Sequence, residues 1–168
     1  MSFPDLRRFE LTAFERQELT RDFTLAASDV SLNEVSPDVR KAVPTVSGCY
    51  FWTMRRENVE YKIYIGRTRS LRTRLKDYAN AIQIHAPNDY KLRFFQEFIH
   101  QMDSEAAFDL YVMAVAESEF KAKETALVRQ FQPFVNFLRA PTAEDRARIQ
   151  DGFRLYYEEA FRHRLDDG

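Results

Sequence analysis

Residues 48–66 read GCYFWTMRRENVEYKIYIG. Two apolar runs, rich in aromatic and β-branched residues, flank a charged one, and that pattern decides the fold class. Val46 to Met54 reads as one strand and Tyr61 to Gly66 as a second. Arg55 to Glu60 connects them, and its lack of Gly predicts a loop longer than a two-residue turn. Strict alternation in the second strand sends Tyr61, Ile63 and Ile65 to one face and Lys62, Tyr64 and Gly66 to the other, so Tyr64 falls on the polar side. Gly66 ends the strand where the backbone must turn sharply or approach another group closely.

Downstream, Leu71, Leu75, Tyr78 and Ile82 follow a helical stripe, which predicts a helix over Leu71 to Ile82. Pro87 and Asn88 break the chain, Tyr90 to Met102 reads as a further helix, and Phe108 to Ala116 as a third strand. Ser118 starts a helix that stops before Pro133. Pro141 and Thr142 open a long C-terminal helix, Ala143 to Leu165, with an aromatic stripe. Upstream, Thr12 to Phe23 reads as a helix capped by Thr12 with Glu15 three residues on. The expected organisation is an N-terminal extension (1–45), a small mixed α/β (α+β) domain (46–138) and a C-terminal helix (139–168). The domain has a three-stranded, mainly antiparallel sheet flanked by helices. The C-terminal helix packs on the domain or on a second copy in a homodimer.

The chain has 168 residues, of which 45% are hydrophobic and 14% aromatic, enough for a real core. Its one cysteine, Cys49, excludes an internal disulfide and suits a reducing, cytoplasmic setting. Met1 to Glu10 lacks a secretory pattern, and no run is long and apolar enough to span a membrane. The net charge of −1 does not advertise nucleic-acid binding, but its distribution is uneven. Arg67, Arg69, Arg72, Arg74 and Lys76 fall within ten residues with no acid among them, either a phosphate-binding footprint or a solvated helix face.

Glu124 is the clearest single residue. Phe120, Leu127, Val128 and Phe131 share its helix face, so its carboxylate lies on an apolar stripe where a lone charge is costly. A divalent metal or a buried arginine would pair with it. Arg74 and Tyr78 are four apart and share a face, putting a forked cation at the edge of the core. Asn136 follows Pro133 just past the Glu124 helix, where a carboxamide can tie loop backbone to a site. Tyr50 and Tyr64, taken singly, are ordinary strand residues.

Taken together, these stations resemble the GIY-YIG nuclease domain over roughly Ser47 to Leu138. Gly48-Cys49-Tyr50 matches the first motif with Cys in place of Ile, and Tyr64-Ile65-Gly66 matches the second. Leu71 stands three residues before Arg74, as in the family, and Glu124 with Pro133 and Asn136 resembles the metal-binding helix and its exit. The interval between the motif tyrosines is longer than the family's short hairpin, and Arg67 stands where several members carry Lys.

The resemblance implies a metal-dependent DNA endonuclease. Glu124 would hold one Mg²⁺ or Mn²⁺, Tyr50 would act as general base on water, and Tyr64 would orient water or phosphate. Arg74 would stabilise the pentacovalent phosphate, with Arg67 as a second cation near the reaction. Tyr78 would hydrogen-bond within the site and Asn136 would brace it. Arg67, Arg69, Arg72 and Lys76 would contact duplex or single-stranded DNA. The alternative is a non-catalytic nucleic-acid-binding or interaction module on the same scaffold.

Overall fold

A computed structural model describes residues 5–30, 36–79, Leu92, Gln96, Ile99 and 103–137. After a 3-10 turn at Arg7–Phe9 the elements are α1 (Ala13–Asp22), β1 (Thr24–Ala27), α2 (Pro37–Ala42), β2 (Gly48–Arg56) and β3 (Val59–Thr68). They continue with α3 (Leu71–Ala79), β4 (Ala107–Ala114), α4 (Glu117–Phe131) and α5 (Phe134–Phe137). The four strands form one antiparallel sheet in the order β1-β4-β2-β3, giving a mixed α+β fold.

The sheet has one strand more than the sequence pattern predicts. Thr24–Ala27 pairs with β4 at the edge, and it is short, with a register shift between Leu25 and Ala27. Four residues without apolar alternation carry too little signal to be read as a strand. α1 does follow its expected signature: Thr12 Oγ1 accepts from the Glu15 N–H at 3.2 Å, and the Thr12 N–H donates to Glu15 Oε2 at 2.9 Å.

The β2–β3 connection is tighter than expected. Arg56 pairs with Val59, leaving Glu57 and Asn58 as a two-residue turn with φ of 50° and 66°. Both central residues at positive φ make the hairpin turn whose twist matches the strands, and Asn tolerates that region without being Gly. The extra length between the two motif tyrosines therefore goes into longer strands.

Alternation along β3 also breaks. Trp52 opposes Tyr64 but Thr53 opposes Lys62, so Ile63 is the additional residue of a bulge. Tyr61, Ile63 and Tyr64 consequently share one face of the sheet, and Lys62 and Ile65 serve the other. Tyr64 is thus not on the polar side; it is buried in the larger apolar cluster with Tyr50, Trp52, Leu110 and Val112.

That first face is covered by Leu6 and Phe9, by Leu71 and Leu75 of α3, by Val135 of α5, and by Leu92 and Ile99, two helical positions of the segment 90–102. On the second face, Leu19 of α1 and Phe23 pack with Leu127 and Phe131 of α4 over Cys49, Phe51, Ile65 and Tyr111. Residues ahead of position 46 therefore contribute to both layers. The expected C-terminal helix, Ala143 to Leu165, lies outside the described residues.

Candidate active site around the end of β3

The two glycines of the motif are explained by close approach. Gly48 faces β4 so tightly that a Cβ would lie 2.0 Å from the Met113 carbonyl oxygen. Gly66 stands directly opposite Tyr50, and a Cβ there would lie 2.4 Å from the Tyr50 hydroxyl oxygen. The Tyr50 ring thus rests over a strand position that only glycine leaves open. Its hydroxyl accepts from Arg74 Nε at 3.2 Å, and its ring meets Tyr64 edge-on at a centroid distance of 6.0 Å. Both tyrosine rings are buried. A small cleft bounded in part by Trp52, Leu71 and Leu110 lies against the Tyr50–Arg74 pair.

On the opposite face, Arg67 pairs in register with Cys49, which directs it toward α4. Its guanidinium lies 5.6 Å from the centroid of the Phe120 ring and forms an ion pair with Glu124 Oε2. The Glu124 side chain is only 17% exposed, so the carboxylate on the apolar stripe has found the arginine partner it requires. Asn136 sits on the outer edge of β3. Its carboxamide accepts from the Ile65 N–H at 2.7 Å and donates to the Ile65 carbonyl at 2.8 Å, copying a strand partner. Asn136 lies on α5, which begins just after α4 ends at a left-handed Gln132 (φ 48°) followed by Pro133. Farther along the same edge, the Leu11 N–H donates to the Glu60 carbonyl at 2.7 Å.

The fold therefore gathers Tyr50, Tyr64 and Arg74 on one face of the end of β3 and Arg67 with Glu124 on the other, with Asn136 on the edge between them. Tyr78 belongs to α3, and its side chain lies outside the described set.

Two of the remaining cations of the basic run, Arg69 and Arg72, have partners too. Arg69 pairs with Glu117 at 2.6 Å, both well exposed. Arg72 donates to the carbonyls of Val43 at 2.8 Å and Lys41 at 3.1 Å, closing the C-terminal end of α2. Lys76 is exposed. Sequence reasoning had no means of finding the Arg72 role, because its partners are main-chain atoms about thirty residues away.

Glu124 offers hard oxygen ligands suited to Mg²⁺ or Mn²⁺. Among the described residues no group of three or more His, Cys, Asp or Glu side chains comes together.

No family model matches the chain, and no solved structure does. It is similar to UvrABC system protein C of Wolinella succinogenes, with 33% identity over 96 residues, 57% of this chain and 15% of that protein. UvrABC system protein C of Acaryochloris marina is likewise 33% identical over 99 residues, 58% of this chain and 14% of that protein. The matched region spans about one seventh of the length of these curated relatives.

Proposed function

We propose that the chain is a nuclease that hydrolyses phosphodiester bonds in DNA with the help of one divalent cation on Glu124. The contact that carries this reading is the Arg74–Tyr50 hydrogen bond over Gly66, because it joins a cation to a tyrosine where the motif residues converge. The GIY-YIG resemblance and the similarity to the two UvrABC system C proteins support it.

The free phenol of tyrosine has a pKa of about 10, too high for a base at neutral pH. For Tyr50 to take a proton from water, the guanidinium that donates to its oxygen would have to stabilise the phenolate. The Arg74 cation also serves the charge that builds on the phosphate. Tyr64, edge-on to Tyr50, orients water or a phosphate oxygen. Asn136 holds Ile65, and through it the backbone between Tyr64 and Gly66. Tyr78, four residues after Arg74 in the sequence, would hydrogen-bond within the site, as the resemblance implies. A divalent cation on Glu124 would supply neutralisation of the phosphate and the leaving oxygen.

One observation favours a second reading, a nucleic-acid-binding module without catalysis: Arg67 already satisfies the Glu124 carboxylate. Incubation with plasmid, linear duplex and single-stranded DNA, with and without Mg²⁺ or Mn²⁺, separates the two. The nuclease gives metal-dependent cleavage; the module gives a mobility shift and intact DNA.

A further inference from the structure

Arg67 is paired with the Glu124 carboxylate. Its strand position opposite Cys49 aims it at α4, and the Phe120 ring, one helical turn before Glu124, supports its guanidinium. The ion pair is partly shielded, with side-chain exposures of 37% for Arg67 and 17% for Glu124. The two residues are 57 positions apart, so it is the fold that builds this pair across a strand and a helix.

We propose that Arg67 is the resident counter-cation of Glu124, which keeps divalent metal out until a phosphate draws the guanidinium away. The proposal rests on reading Glu124 as the metal ligand. A single carboxylate binds Mg²⁺ or Mn²⁺ weakly, and a guanidinium in contact with it both blocks an oxygen and repels the incoming charge. Phosphate is the natural competitor for that guanidinium, because it matches the fork and accepts two hydrogen bonds. The same phosphate brings oxygen ligands for the metal. Metal and DNA then bind with positive coupling, and by linkage each raises the affinity of the other by the same factor. Arg67 is a positioning residue in this scheme: it sets when Glu124 becomes available.

The test is a Mn²⁺ titration of DNA-free protein, with free Mn²⁺ read by electron paramagnetic resonance. Wild type, Arg67→Gln, Glu124→Gln and the double variant are compared, with circular dichroism as the check on folding. Arg67→Gln should bind Mn²⁺ at least about tenfold more tightly than wild type. The double variant should lose that gain. Arg67→Lys, which keeps the charge and is the milder change for folding, should stay close to wild type. Equal affinity in wild type and Arg67→Gln, with binding still abolished by Glu124→Gln, overturns the counter-cation role and leaves the metal-ligand reading intact. Tight binding by Arg67→Gln that persists in the double variant overturns both. Absence of Mn²⁺ binding in every variant also overturns the proposal, since a carboxylate relieved of its partner should take up the ion.

Discussion

Tyr50 and Gly66 face each other across the β2–β3 ladder, and the tyrosine hydroxyl fills the space a side chain on Gly66 would need. The glycine is therefore part of how the tyrosine is aimed at Arg74. Gly66→Ala should push the Tyr50 ring away from Arg74. We expect a folded protein that is destabilised by about 1–3 kcal/mol, the usual cost of forcing a methyl into a packed site, and that has lost cleavage. Melting temperature and cleavage rate together check this; a variant with both unchanged would show that the close approach has no consequence.

Arg74→Lys keeps the charge and removes the fork. It should lower kcat by roughly a hundredfold or more, as expected for loss of a donor aimed at developing charge. Steady-state kinetics on a defined oligonucleotide read the split. A rise in KM alone would mean that Arg74 binds DNA and does nothing further.

The basic run should not act as one patch. Arg69→Gln with Lys76→Gln should flatten the salt dependence of duplex binding by up to about 0.9 in log–log slope for each phosphate that is no longer neutralised, with little effect on stability. Arg72→Gln should instead destabilise the fold by about 1–2 kcal/mol, because it leaves two carbonyls at the end of α2 without their donor. Denaturant titration beside filter binding separates the two effects. Equal stability of Arg72→Gln and wild type would contradict the capping role.

Burial, reinforced by the nearby Glu60 and Asp109 carboxylates, pushes the Tyr111 phenol up to about 12. Its folded value is raised above the unfolded ~10, so its contribution to stability is complete below about pH 10 and is lost as pH climbs toward 12. Burial likewise raises the Cys49 thiol to about 11. Stability should therefore fall across this alkaline window, and Tyr111→Phe should lessen the fall. Denaturant midpoints measured from pH 8 upward test it; an identical pH slope in the variant would rule out Tyr111 as the cause.

Apolar runs made β2, β3 and β4 legible, apolar stripes made α3 and α4 legible, and the Thr12–Glu15 capping pair marked α1. β1 was not legible, since its four residues gain their place from β4 and not from their own pattern. The hairpin turn and the bulge were also hidden. Both depend on φ values or register at single residues, and Glu57-Asn58 carries none of the usual glycine signal. At the candidate site, the carboxylate on an apolar stripe correctly demanded a partner, and the sequence left metal or arginine open. Arg67 answers it in this structure. The bulge at Ile63 is what turns Tyr64 to the Tyr50 face, a rearrangement that strict alternation could not anticipate.

The most direct measurement is single-turnover cleavage of a labelled duplex by wild type and Glu124→Gln in Mn²⁺, with DNA binding measured in parallel. The account predicts cleavage by wild type that stops with chelator, and a Glu124→Gln variant that binds DNA yet cuts at least about a thousandfold more slowly. Near-normal cutting by Glu124→Gln, or cleavage by wild type that persists in chelator, would contradict it.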